Sequence, residues 1–451
     1  MDFETGHFSH RWHHHALGHQ HPAGEVAQVG HERDDLGRMG VVLSAGRAAG
    51  GLAALAWTVY AARRLQGDWG QLSAVLAYAS VASIGTDLGI PLALTRLACR
   101  HPTLDRAAVE AAIRRRAAAG TLAAGALILA WVNTKSGAGR WGLAAVYGIS
   151  VTVTPVTSSY LALLRGRANA GIEAIYDVVR QVALPALGIA AIETGLGVFG
   201  VLGAYVAVDA ASAAVIARLA RGRLRFVPGP DAGEEDELRL RSTVPLSATT
   251  IVGSAYERVD SAMLAPLAGT AAIGIYRMIS PIYGAVLMPA RALGDTAAVG
   301  AGRGDGGASG TTRATVAPFA LRAAVVTVPL AVLLAVVGPP LLPHVLGVKA
   351  SVHNPHPINW SRAATPLRIL MAATVPSAAL AVLTPVAVMA RRGRVFDLAL
   401  GALGANIVMN LALVPHWAAG LGASGAALAF LITETALAAA LWAGLPAKAV
   451  S

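Results

Sequence analysis

The sequence is poor in charge, in aromatics and in cysteine. Only 14% of its residues are charged and 5% are aromatic, whereas a soluble globular domain is about 25% charged. The same chain is 55% hydrophobic, with a mean hydropathy of +0.57, and that excludes a disordered chain. The single cysteine, Cys99, excludes an intramolecular disulfide and any cysteine-rich metal centre. No cleavable signal peptide is expected: residues 1–40 are polar, and the first apolar run is too long for a signal h-region. What remains is a chain whose apolar runs recur almost from end to end, the pattern of a polytopic membrane protein.

Apolar stretches of about 20 residues, the length that crosses a bilayer, lie near 41–62, 72–95, 117–133, 141–164, 178–193 and 199–220. A second set lies near 243–266, 271–297, 316–346, 367–390, 396–415 and 422–446. The span at 178–193 is short and contains Pro185, so its ends are not fixed by the sequence. The expected fold is therefore an all-α membrane protein of about twelve transmembrane helices in two groups of six. Its expected parts are a polar, His-rich cytoplasmic tail (1–40), a six-helix lobe (41–221), a cytoplasmic linker (222–241), a second six-helix lobe (242–446) and a short tail (447–451). The linker holds Pro228-Gly229-Pro230 and the acidic run Glu234–Glu237.

The net charge of +11 is not a nucleic-acid signal, because the arginines fall on alternate loops. With the N-terminus inside, the inner loops carry Arg96, Arg100, Arg106, Arg114–Arg116, Arg165, Arg167, Arg218, Arg221, Arg223, Arg225, Arg239, Arg241, Arg391, Arg392 and Arg394. The outer loops carry Arg63, Arg64, Lys135, Arg140, Lys349, Arg362 and Arg368. Basic residues concentrate in cytoplasmic loops, so both termini are expected in the cytoplasm and the protein in the cytoplasmic membrane. Arginine outweighs lysine and alanine is abundant, a composition suggestive of a bacterial genome rich in GC.

The two halves repeat one another. Arg165-Gly166-Arg167 and Arg392-Gly393-Arg394 are each followed by a Gly motif, Gly195–Gly200 and Gly420–Gly425, and then by an acid within the last span of its half, Asp209 and Glu434. Both Gly motifs fit G-x-G-x-x-G, but a dinucleotide site needs a strand before the motif and a soluble βαβ unit around it. Here they read as tight turns between apolar helices.

Three stretches carry a resemblance. Ala62-Arg63-Arg64-Leu65 with Gly70 leads to Thr86-Asp87-Leu88-Gly89-Ile90-Pro91 and Thr95-Arg96. Glu257-Arg258-Val259-Asp260-Ser261-Ala262-Met263-Leu264 leads to Gly274-Ile275-Tyr276-Arg277. Asn406-Ile407-Val408-Met409-Asn410-Leu411 with Val414-Pro415 leads to Gly422–Ala427 and Glu434. In these stretches, which span 40–446 in order, the chain resembles the polysaccharide flippase (Wzx-type) branch of the multidrug/oligosaccharidyl-lipid/polysaccharide exporter superfamily. The His-rich tail and the long segment Lys349–Thr365 depart from that pattern. Twelve spans, rather than fourteen, do not favour the lipid II flippase branch. The resemblance implies two lobes around a cavity that opens alternately to either side. Its implied cargo is a polyprenyl-diphosphate-linked saccharide moved from the inner to the outer leaflet.

Charges within spans are costly and so are functional candidates. Arginine suits the diphosphate, because its planar fork binds phosphate oxygens in pairs. Arg47, Arg258 and Arg277 are the candidate cavity cations. Asp87 is a candidate partner for Arg47, either as a structural salt bridge or as its resting partner. Glu257 and Asp260 share a helix face and can pair with Arg277 or accept H⁺ or Na⁺. Asp209 and Glu434 either couple transport to such an ion or stay neutral in interhelical hydrogen bonds. Asn406 and Asn410 face one way and read as packing residues or as sugar contacts. The tail histidines (His7, His10, His13–His15, His19 and His21) fix no metal geometry, and no metal or other cofactor is expected. His353, His356 and Trp360 fall in the long outer loop, where Trp is an ordinary interfacial anchor.

Two other functions compete. A drug or cation antiporter of the same superfamily needs acids without arginines in its cavity. An integral-membrane glycosyltransferase using the same lipid donors needs acid and base groups outside the membrane, where the outer loops offer only Asp68, with Glu193 at a helix end. The expected protein is thus a transporter without enzymatic chemistry. Its partners are the lipid-linked saccharide and membrane lipids, with glycosyltransferases or a polymerase of the same pathway as further candidates and nucleic acid excluded.

Overall fold

The structure, a computed structural model, describes residues 53–101, 103–133, 141–167, 170–227, 238–303, 313–346, 358–389, 394–416 and 422–445. Contacts divide the chain into Met1–Ala45 and Gly46–Ser451, and every described residue belongs to the second unit. Thirteen α-helices follow in order. They are α1 (53–65), α2 (Gly67–Ala82), α3 (Ile90–Arg100), α4 (Arg106–Val132), α5 (Trp141–Gly166), α6 (Ala170–Glu193) and α7 (Gly197–Arg223), then α8 (Leu240–Ala268), α9 (Thr270–Arg303), α10 (Arg313–Leu346), α11 (Ala364–Met389), α12 (Arg394–His416) and α13 (Gly422–Ala443). Helices α2 and α3 are separated by a break at which the axis bends by 48°; counted as one bent unit they bring the described helices to twelve, six in each half.

Eight of these helices are long and apolar enough to cross a membrane, and the bent pair is a ninth. Helix α1 is described only in part, and α4 and α8 carry charges within their length. The outward faces have the composition lipid requires. On α6, Ile175, Val178, Val179 and Val182 form one exposed apolar stripe, and on α10 Leu321, Val325, Leu333 and Val336 do the same. Pro185 lies inside α6 without ending it, so the span is 24 residues long rather than short. Membrane helices tolerate such prolines because neighbouring groups satisfy the freed carbonyl.

The break in the second span comes from its backbone rather than from Pro91. Leu88 and Gly89 both have positive φ, 51° and 68°, a conformation open to Gly but costly for Leu. Pro91 stands in the first turn of α3, where a missing N–H costs nothing; it starts that helix. Helix α4 begins with Asp105 as its cap, whose Oδ1 accepts the Ala107 N–H at 2.9 Å. Two short parallel strands, β1 (Leu104–Asp105) and β2 (Phe226–Val227), tie the α3–α4 connection to the chain leaving α7. Arg115 then donates to the Leu238 carbonyl at 2.9 Å, so both described ends of the connection between the halves are bound to the first half. Residues 228–237 of that connection lie outside the described residues.

The halves use one packing scheme. In the first, α4 packs on α5, α5 on α7, α6 on α7, and α3 on α5. In the second, α10 packs on α11, α11 on α13, α12 on α13, and α9 on α11. Each pair has its counterpart one half further along the chain, as parallel six-helix repeats require. The fold is an all-α membrane bundle of two pseudo-symmetric six-helix lobes. They meet where α2 packs on α8 and α9, and α3 on α8. Trp69 donates its indole N–H to the Gly274 carbonyl at 2.9 Å. Gly70 lies so close to the Thr270 backbone that a methyl group there would overlap the Thr270 carbonyl.

Candidate functional site

The polar interior of the first lobe is built on arginine. Arg116, only 4% exposed, donates Nε to the Thr86 carbonyl at 3.0 Å and Nη1 to Pro155 O, Ser158 Oγ and Ser159 Oγ at 2.8–2.9 Å. It joins the broken second span to α5, and Asp87 lies within its electrostatic reach. Further along, Arg180 on α6 donates Nε to Asp209 Oδ1 at 3.1 Å, while Ser150 on α5 donates to Asp209 Oδ2. Tyr147 and Tyr205 stand beside this pair, edge to face, with ring centroids 5.7 Å apart.

The surface between the lobes holds two further cations. Arg258 on α8 donates Nη1 to the Ser80 carbonyl at 3.1 Å and makes a longer contact of 3.5 Å with Ser83 Oγ. Arg277 on α9 has no carboxylate partner among the described residues; the groups that act on it electrostatically are Tyr205, Tyr147 and Arg258. Arg277 thus belongs to the second lobe by sequence while its electrostatic neighbours include the tyrosine pair of the first.

The interior of the second lobe is built without a cation among the described residues. Asp260 on α8, 2% exposed, accepts the Asn410 amide at 2.7 Å and the Tyr276 hydroxyl at 3.3 Å. Asn410 also donates to Asn406 Oδ1 at 2.7 Å, and Asn406 donates to Thr433 Oγ1 at 3.3 Å. Thr433 meets the Tyr256 hydroxyl at 3.0 Å. Beside it Glu434 accepts the Ser377 hydroxyl at 2.5 Å, and Ser377 is in turn reached by Tyr283 at 2.7 Å. One polar network therefore links α8, α9, α11, α12 and α13. Within it the Asn410 carbonyl oxygen is buried with no hydrogen-bond partner.

Several sequence expectations change here. Arg116 is no loop charge but a buried anchor, because α4 extends a turn and more beyond the apolar run that marked it. Arg277 does not pair with an acid of α8: Asp260 is occupied by neutral donors, and Glu257 faces Arg291 at 3.7 Å on a well exposed part of the bundle. Arg47 lies outside the described residues, as do His353, His356 and the tail histidines; among the described residues the charge near Asp87 is Arg116. Trp360 is buried at a short 3₁₀ turn rather than set in an open loop. The sequence reasoning missed Arg116, Arg180 and Arg291. Arg180 stands at the start of the apolar run 178–193 in sequence but near the middle of the helix Ala170–Glu193, so hydropathy alone leaves it at a span edge.

Two repeated six-helix lobes, with charged groups placed between and inside them, give this chain a fold in common with solved membrane proteins. The lipid II flippase MurJ in an inward closed conformation superposes with a TM-score of 0.69 at 12% identity, over 89% of this chain and 86% of that one. An inward-facing multidrug resistance MATE family transporter of the MOP superfamily gives 0.58 at 13% identity, over 87% and 93%. A MOP superfamily transporter from Pyrococcus furiosus, described as having a binding pocket of reversed polarity, gives 0.52 at 15% identity, over 90% and 93%. No curated protein sequence matches the chain. Residues 36–299 match the polysaccharide biosynthesis protein family, and the chain belongs to that family. The fold it shares with these structures agrees with the repeat of two six-helix lobes.

Proposed function

We propose that this chain is an alternating-access flippase that moves a polyprenyl-diphosphate-linked saccharide from the inner to the outer leaflet of a bacterial cytoplasmic membrane. The observation that carries the reading is the pair Arg258 and Arg277, two arginines at the interlobe surface with no carboxylate partner among the described residues. A guanidinium kept in a membrane bundle without an acid is costly. A diphosphate headgroup offsets that cost through charge-assisted paired hydrogen bonds, while the lipid tail stays in the bilayer. No bond of the cargo is made or broken, so the protein acts as a transporter and not as an enzyme.

Energy to drive the cycle is assigned to the second lobe. Asp260 and Glu434 are buried carboxylates without a nearby cation among the described residues, and the unpartnered Asn410 oxygen lies in the same network. Oxygen donors of this kind suit a hard cation, so Na⁺ or H⁺ is the coupling ion. We place both termini in the cytoplasm, with 1–40 as a tail, 41–221 and 242–446 as the lobes, 222–241 as the linker and 447–451 as the short end. This rests on the basic loops. Glycosyltransferases and a polymerase of the same pathway are the natural partners.

Depleting the protein and measuring polyprenyl-linked lipids by mass spectrometry tests the reading. One saccharide-diphosphate lipid should accumulate, and neither Arg258→Ala nor Arg277→Ala should reverse that accumulation at normal expression. The buried acids favour one other reading, a drug or cation antiporter; no accumulation together with new sensitivity to cationic compounds would move the assignment there.

A further inference from the structure

A pocket of about 100 Å³ opens at the end of the first lobe that we place in the cytoplasm, apart from the polar interiors and from the surface between the lobes. It lies where α4 begins and α7 ends. Its lining is Arg106, Val109 and Glu110 of α4, Tyr160 of α5, Arg221 of α7 and Phe226 of β2. The β1–β2 pair joins the chain just before Arg106 to the chain shortly after Arg221, so the backbone brings both arginines to one pocket. The acid there is outnumbered. Glu110 Oε1 accepts Arg106 Nε at 2.9 Å, and Oε2 faces Arg114 Nη1 at 3.9 Å. The terminal nitrogens of Arg106 have no hydrogen-bond partner among the described residues. Arg221 lies over the Tyr160 ring, 5.9 Å from its centroid, and makes only a long 3.4 Å contact with the Tyr160 hydroxyl. Three guanidiniums thus meet one carboxylate, and the donors left over are those that fork onto a phosphate.

Both walls of the pocket continue into exposed apolar helix faces. On α4, Leu129, Leu122 and Ala118 are exposed on one face, and the next residues along it are Arg114 and Glu110. On α7, Ala207, Ala210 and Ala214 are exposed on the face that ends in Arg221. Apolar surface with cations directly at its foot matches a lipid, whose chains lie along the one and whose headgroup meets the other. A free anion would use the cations alone.

We propose that this pocket binds the phosphate of an anionic phospholipid of the inner leaflet, with Arg221 and Arg106 as donors and the acyl chains along α4 and α7. Glu110 holds Arg106 in place and at the same time opposes the anion. A lipid seated here ties the start of α4 to the end of α7, and so fixes the chain that enters the connection between the halves. The site does not depend on what the protein transports.

Hydrogen exchange of the purified full chain in detergent tests the site, with dioleoyl phosphatidylglycerol, dioleoyl phosphatidylcholine and inorganic phosphate as probes. Phosphatidylglycerol should slow exchange at residues 104–110 and 221–227, and the other two should not. Arg221→Gln should raise the phosphatidylglycerol concentration for half of that protection on the order of tenfold, the scale of one charge-assisted hydrogen bond. Glu110→Gln should lower it, because the opposing charge is gone. Arg96→Gln, at an exposed position of α3 outside the pocket, should leave it unchanged. If Arg221→Gln already exchanges fast without lipid, native mass spectrometry of the intact chain carries the test: that variant should retain less phosphatidylglycerol than the wild type, and equal retention overturns the site. Equal protection by inorganic phosphate assigns the pocket to a soluble anion and overturns the lipid. Equal loss in Arg96→Gln and Arg221→Gln reduces the effect to general surface charge and overturns the pocket. No protection of the wild type by phosphatidylglycerol overturns both.

Discussion

Asp209 and Glu434 occupy matching helices of the two lobes, α7 and α13, yet they have opposite surroundings. Asp209 is neutralised by Arg180 and held by Ser150. Glu434 is held by Ser377 and has no cation beside it among the described residues. The same contrast extends to the rest of each interior. Arg116 makes four hydrogen bonds within the first lobe, while Asp260 in the second is met by the neutral donors Asn410 and Tyr276. One repeated fold has therefore been given two electrostatic interiors. A lobe whose acid is already paired is suited to presenting cations to an anionic cargo. A lobe whose acids are unpaired is suited to taking up a cation.

The strongest way to break the comparison is to remove the arginine of the first lobe. Arg116→Leu takes the guanidinium from the Thr86 carbonyl and from two serines in a buried site, leaving Pro155 O only its serine donors, and unties the second span from α5. Loss of one member of a buried charged network costs about 3–5 kcal/mol. A drop of that size in detergent unfolding, with hydrogen exchange rising first around residues 83–90 and 155–159, is the expected outcome. A change under about 1 kcal/mol, the value of a surface pair, would make Arg116 as replaceable as a loop charge.

Next in size is the response to cations. If the second lobe binds Na⁺, adding the ion at ten to a hundred times its Kd stabilises the protein by about 1.4–2.7 kcal/mol. Asp260→Asn and Glu434→Gln should each reduce that stabilisation, whereas Asp209→Asn should leave it unchanged. Equal loss in all three variants would erase the distinction between the lobes. Stabilisation by acid and not by Na⁺ would sharpen it, by identifying H⁺ as the ion.

The contact between the lobes can be forced directly. Gly70 backs onto the Thr270 carbonyl and Gly274 onto Gly70 itself. Overpacking a tight site typically costs about 1–3 kcal/mol, but here the strain can be relieved by separating the lobes on that face. Gly70→Val should therefore lengthen spin-label distances between α2 and α9 with little loss of helix content. Unchanged distances would mean that the lobes do not part there.

The helical bundle, the repeat and the family were legible because each rests on a signal the chain carries locally: apolar length, alternating arginines and a handful of ordered motifs. Asp209 and Glu434 were legible as a matched pair for the same reason. Their different surroundings were not, because the difference lies in Arg180 and Ser377, which come from other helices. Arg116 was misplaced because hydropathy marks where lipid contact begins rather than where a helix does. The break at Asp87 was visible in Asp87-Leu88-Gly89, but its cause was assigned to Pro91, since nothing in the residue type of Leu88 announces a positive φ.

The smallest effect tests whether the neutral network of the second lobe is a scaffold or a site. Asn406, Asn410 and Thr433 lie in hydrogen-bond sequence between Asp260 and Tyr256. Thr433→Val keeps the side-chain shape and removes one hydroxyl, worth about 1 kcal/mol if the bond is only structural. Tyr276→Phe removes the longer 3.3 Å bond to Asp260 and should cost less. If these residues only join helices, both variants lower the melting temperature by amounts in that order and leave the Na⁺ response intact. If they hold Asp260 in the geometry that receives an ion, Tyr276→Phe alters the Na⁺ response more than its effect on stability accounts for. The second outcome is expected, because the unpartnered Asn410 oxygen leaves the network one donor short of what a finished structural core would have.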